Sequence, residues 1–272
     1  MPLTNDPKTK GLYGLWKKQD IITLVYEHIA SGLLQLDYET GKLFVVAKPD
    51  LDSPWYFVRP KSADWKGPMD CYRYHTMLNR LMGVMPSKCL SCWKVVVAPK
   101  TLRDMWKWRE VMEEMGRHCK CGIETRPIVG RLYGSYFYNQ SQEQGLECLE
   151  TVLEAIERSG IEVIPLQGHK AILKRGCTEF EDDFGPSDKW EDQITDEMRW
   201  KEEMIDNYFI SPPHYEATDM MKLRLFRSWV EFAFDRGDQT SEDFINPEDQ
   251  DVSTKFVLKI PYVIYNPEKK ND

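Results

Sequence analysis

Between residues 93 and 174 the chain alternates short β-branched or aromatic runs with capped amphipathic segments, and this order restricts the fold more than any other feature. Trp93-Lys-Val-Val-Val-Ala98 has the β-branched density of a strand. Thr101 stands where an N-cap oxygen is needed, ahead of a helical stretch over 102–116. Two further runs, 123–127 and 132–138, lie on either side of Gly130 and read as strands. Ser141 opens a second helix whose stripe is Leu146, Leu149, Val152, Leu153 and Ile156, with Gly160 as its stop. Residues 161–166, and 171–174 after them, read as strands.

The resulting order, β-α-β-β-α-β, predicts an α+β fold centred on a ferredoxin-like βαββαβ unit. Additions flank it on both sides. Residues 15–34 have helical periodicity, and 34–46 read as a hairpin turning at Glu39-Thr40-Gly41-Lys42. A Pro- and Trp-rich loop spans 49–68, and a helix is expected over 71–85, ended by Pro86. Beyond Cys177 lies an acidic stretch, then a strong helix over 217–236 and a last strand over 255–265, with Pro261 marking an edge or bulge. Three segments follow: 1–86, 87–177 and 178–272, packed as one globule.

Apolar residues make up 42% of the 272, enough for a core of this size. No run of 18 apolar residues is present, which excludes a membrane-spanning helix. The first residues lack a basic and an apolar region of secretory type, and seven cysteines at uneven spacing do not form a disulfide framework. A cytoplasmic, reducing location is therefore expected. The formal net charge of -8 opposes indiscriminate binding to anionic surfaces. It hides an asymmetry, because residues 88–131 hold ten bases against five acids while 179–206 hold twelve acids against three bases.

Four cysteines fall in that basic segment as two tight pairs, Cys89-Leu-Ser-Cys92 and Cys119-Lys-Cys121. Paired thiols at such separation are what a tetrahedral metal or an iron–sulfur cluster draws from two loops that meet. In a ferredoxin-like sheet the first two strands run parallel on either side of the third, so their entry loops lie at one edge about 9–10 Å apart. The four cysteines are thereby expected to bind one structural zinc. The alternative tenant is an iron–sulfur cluster, which would make the chain a redox or accessory subunit. His118 precedes Cys119 and reads as a loop residue. Cys71, Cys148 and Cys177 read as small buried apolar residues.

The run Arg131-Leu-Tyr-Gly-Ser-Tyr-Phe-Tyr138 partly resembles the aromatic motif with which RNA-recognition domains stack bases. Leu132 and Ser135 replace the motif's glycine and second stacking aromatic. Lys94, Lys107, Arg126, Arg131 and Tyr133 are the residues expected to meet an anionic partner, nucleic acid first, with a protein partner also open and no membrane. No GxGxxG, P-loop, GxSxG or HExxH signature occurs, so no catalytic residue is assigned. An enzyme would have to use the acidic residues Glu179, Glu181, Asp182 and Asp183, or the isolated His169 and His214.

Overall fold

The computed structural model describes residues 18–46, 54–58, 78, 84–126, 129–210 and 218–245. Among the described residues the fold is α+β, with two antiparallel sheets. Helix α1 (Lys18–Ala30) leads into a hairpin of β1 (Leu34–Asp37) and β2 (Lys42–Val45). Asp37 accepts hydrogen bonds from the Glu39 amide and the Thr40 hydroxyl, and Gly41 supplies the left-handed φ of 68° that closes the turn.

The larger sheet contains β3 (Trp55–Val58), β4 (Trp93–Val97), β5 (Cys119–Ile123), β6 (Tyr133–Asn139) and β7 (Ala171–Arg175), in the spatial order β3-β5-β6-β4-β7. Every neighbouring pair is antiparallel. Helix α2 (Leu102–Met115) joins β4 to β5, and α3 (Gln142–Ser159) joins β6 to β7. The Thr101 hydroxyl accepts from the Asp104 amide while Asp104 receives the Thr101 amide, a complete capping box. Gly116 and Gly160 end the two helices in left-handed conformations. Both helices cover the same face of the sheet, together with α6 (Asp219–Asp235).

That face carries the main core, built from Val95, Val97, Trp108, Met112, Tyr133, Phe137, Val152 and Trp229 among others. Cys148 projects into it from α3, as its helical position implied, whereas Leu146 is exposed and Gly145 takes the contact with Trp93 and Leu173. A second cluster joins the N-terminal hairpin to α5 (Asp196–Tyr208), through Leu34, Leu78, Val84, Ile205 and Phe209. The Ile210 amide donates to the Leu43 carbonyl at 2.8 Å. A third cluster, of Met85, Cys89, Cys92, Cys177, Phe180 and Trp190, involves α4 (Thr178–Phe184) and the 3-10 turn Ser87–Ser91.

Several elements differ from the sequence expectation. The second strand of the central unit begins at Cys119 and ends at Ile123, four residues earlier than read from 123–127. Residues 161–166 form only isolated bridges, Pro99 to Val163 and Leu166 to His169, so 171–175 is the sheet strand. Trp55–Val58, read as loop, is an added edge strand on β5. Its approach depends on Gly122, since a Cβ there would lie 2.0 Å from the Pro54 carbonyl oxygen. Helix α5 was not anticipated within the acidic stretch. The expected helix over 71–85 and strand over 255–265 fall outside the described residues, apart from Leu78, Val84 and Met85.

Candidate functional site

Side chains alternate between the two faces of a strand, and the register assigns a face to each residue. Val95, Val97, Cys119, Cys121, Tyr133 and Phe137 project beneath the helices. The residues between them take the outer face. Across the strands this gives a row Phe57–Lys120–Tyr136–Val96–Ile172, and beside it Tyr138–Lys94–Lys174.

The same parity separates the cysteine pairs. Strands β4 and β5 do run parallel on either side of β6, the arrangement from which convergence was expected. Cys119 and Cys121, however, lie within the strand two residues apart, so both enter the helix-side core. Burial there pushes both thiols well above the ordinary cysteine range. Cys92 stands one residue before Trp93 and takes the other face, packing with Cys89 in the third cluster. Burial pushes its thiol up to about 11, against the pull of Lys94. The two pairs thus lie on opposite faces of one sheet. Among the described residues, no three His, Cys, Asp or Glu side chains are grouped so as to hold a metal ion.

Lys94 occupies the outer face in an unusual setting. It is 8% exposed, and its Nζ donates to Cys177 Sγ at 2.8 Å. Its ammonium also lies 5.7 Å from the Tyr138 ring centroid. Burial works against its charge, yet Cys177, Tyr138 and Cys92 together hold it well above the usual lysine range.

Towards the β3 edge the outer face becomes aromatic and basic. The Lys120 ammonium stands 4.2 Å from the centroid of Trp55, 5.5 Å from Tyr136 and 5.9 Å from Phe57. Trp55 meets Tyr136 edge-on at 5.6 Å, above the paired glycines Gly122 and Gly134. Phe57 is 44% exposed. At one end Arg126 grips both oxygens of Glu124, each at 2.7 Å, and donates to the Tyr136 hydroxyl at 3.0 Å. Arg131 donates to the same hydroxyl at 2.9 Å, and that hydroxyl donates in turn to Glu124. Burial alone would raise the Glu124 carboxyl, but Arg126 and Tyr136 prevail and hold it below the usual range. This network fixes two guanidinium groups at the rim of the aromatic surface.

The five residues expected to meet an anion do not share one surface. Arg126 and Arg131 lie at this rim. Lys107 is exposed on α2, which covers the other face of the sheet. Lys94 is buried against Cys177. Tyr133 is buried under the helices, its hydroxyl donating to Asp238 at 2.6 Å, and Ser135 beside it accepts from the Trp108 indole at 2.8 Å. The outer-face aromatics on β6 are Tyr136, itself only 8% exposed beneath Trp55 and the guanidinium groups, and the half-buried Tyr138. Sequence reading missed Trp55, Phe57, Lys120, Tyr136 and Cys177. Counting alternate positions outward from Val95 and Val97 would have exposed Lys94, and the analogous count on β6 would have exchanged Tyr133 for Tyr136.

Among the described residues no helix is long and apolar enough to cross a membrane. Comparison of the chain with protein-family models, with curated proteins and with solved structures finds no match.

Proposed function

We propose that this protein binds single-stranded nucleic acid on the outer face of its five-stranded sheet, and that its centre is a ferredoxin-like unit carrying β3 as an added edge strand. The order of β4 to β7, with α2 and α3 as the two crossovers on one face, supports the second part. The first part rests on one observation: Lys120 held among Trp55, Tyr136 and Phe57, with Arg126 and Arg131 fixed at the rim. Phe57, exposed, and Trp55, half-buried, offer rings that stack bases, while Tyr136, 8% exposed, anchors the guanidinium groups. Stacking rings interleaved with cations that meet phosphates are the two parts of a sequence-tolerant single-strand platform. The excess of bases over residues 88–131 gives the segment a local sign opposite to that of the whole chain.

Binding is measured by fluorescence anisotropy with a labelled oligouridylate and a labelled oligothymidylate. With Lys120, Arg126 and Arg131 each meeting a phosphate, the logarithmic salt slope is about -2, so affinity falls about 20-fold between 50 and 200 mM salt. Phe57→Ala removes one stacking ring and weakens binding at least about fivefold. Lys120→Glu weakens it further and flattens the salt slope. Absence of binding at low salt, or wild-type affinity in both variants, refutes the reading.

A further inference from the structure

We propose that Lys94 and Cys177 are a modification site, at which oxidation inserts one oxygen atom between Nζ and Sγ and cross-links the two side chains. The inference is independent of nucleic-acid binding and rests on how the two atoms are held. Nζ and Sγ are 2.8 Å apart, and both side chains are more than nine-tenths buried, at 8% and 7% exposure. That separation is too long for a direct sulfur–nitrogen bond and is spanned by a single bridging oxygen with little movement of either end.

Both ends are clamped. Lys94 lies in the interior strand β4, paired with Tyr138 on one side and Lys174 on the other. Cys177 follows Gly176, whose amide donates to the Cys92 carbonyl at 2.7 Å. Gly176 is left-handed, with φ of 63°, and a Cβ there would come within 2.2 Å of the Trp190 ring, so only glycine admits this turn. The surroundings are Met85, Cys89, Cys92, Phe180 and Trp190, which solvate an ammonium poorly. An uncharged bridge leaves no ammonium for these apolar side chains to accommodate.

The reaction balances with dioxygen as the oxidant. Ammonium, thiolate and O2 yield the N–O–S bridge and one water. Sulfur and nitrogen each give up two electrons, one oxygen atom forms the bridge, and the other leaves as water with two of the three ammonium protons. Two molecules of a peroxide serve in place of dioxygen and leave three waters when the peroxide is hydrogen peroxide. A thiol reductant reverses the step. The bridge ties β4 to the start of α4, just beyond the end of the neighbouring strand β7.

The experiment is intact-mass and peptide analysis of the full chain, kept either under reductant or in aerated buffer with hydrogen peroxide. The oxidised chain is expected to be about 14 Da heavier, with failed tryptic cleavage at Lys94 and one linked peptide pair containing Lys94 and Cys177. Dithiothreitol restores the original mass. Lys94→Arg and Cys177→Ser abolish the shift, while Cys92→Ser keeps it. The wild-type peptide map carries the test even if a variant misfolds. A Cys92–Cys177 disulfide, about 2 Da lighter, overturns the proposal, as does a Cys177 sulfenic acid without cross-link. So does zinc bound stoichiometrically and lost with Cys177→Ser, or an unchanged mass after oxidation.

Discussion

Replacing Gly122 by Ala tests the packing on which the outer face depends. The backbone at Gly122 has an ordinary φ, so the substitution meets a steric obstacle and no conformational one. The added methyl would lie 2.0 Å from the Pro54 oxygen and 3.0 Å from both Pro54 C and Trp55 Cε3. Strand β3 must retreat by about 1 Å or more, since real contacts of this kind stop near 3 Å. The Pro54 oxygen also accepts the Trp229 indole at 2.9 Å, and retreat leaves that buried donor without its partner. Overpacking and the lost hydrogen bond each cost about 1–3 kcal/mol, and the reduced chain entropy of alanine returns less than about 1 kcal/mol. The net loss is about 3 kcal/mol, which lowers Tm by about 6–12 °C for a chain of this size. Thermal and urea unfolding followed by tryptophan fluorescence measures it. Gly130→Ala is the control, because nothing lies within 4 Å of its added methyl. A Gly122→Ala melting point within about 2 °C of wild type refutes the reasoning.

Other perturbations probe separate links. Glu202 on α5 is buried and accepts from the Ser87 and Lys88 amides, so Glu202→Ala should cost about 2–3 kcal/mol in urea denaturation. An unchanged midpoint would remove α5 as the anchor of the 3-10 turn. Burial alone would raise the Asp238 carboxyl, but hydrogen bonds from Tyr133, Thr240 and the Leu102 amide hold it below the usual range. Because its folded pKa lies below the unfolded one, its contribution is present above about pH 4–5 and is lost as pH falls through the folded value. Asp238→Asn should flatten the acid limb of the stability–pH curve; an identical slope in both proteins contradicts the assignment. Thr101→Ala breaks the capping box of α2 and should lower stability by about 1–2 kcal/mol, read from the urea midpoint at constant m-value.

The legible parts of the fold were those whose signals are local. Thr101, Gly116, Ser141 and Gly160 mark the ends of α2 and α3 because caps are satisfied within a few residues. Trp93–Val97 and Tyr133–Asn139 were readable as β-branched and aromatic runs. Strand β3 was not, because its four residues become a strand only where the distant Gly122 admits Pro54. The start of β5 was missed for a related reason: Cys119-Lys-Cys121-Gly122 has weak strand propensity and is held in the sheet by partners on both sides. The site turned on parity. A spacing of two residues was read as a chelating loop, but in a strand it places both thiols on one buried face. The contact between Lys94 and Cys177 joins residues 83 positions apart, beyond the reach of any local pattern.

The second hydrophobic cluster has a consequence for the order of events during synthesis. Leu34 and Leu43 belong to a two-stranded hairpin, which alone is marginal in water. Their apolar partners Ile205 and Phe209, and the Ile210 amide that pairs with Leu43, are made only after the whole of the larger sheet. The hairpin therefore leaves the ribosome early with unpaired edges and waits for α5 while the central sheet completes. During that interval its edges are open to pairing with another nascent chain. Closure by α5 is a late, long-range contact, so Ile205→Asp in the full chain should leave the centre ordered while exposing an aggregation-prone N-terminal hairpin.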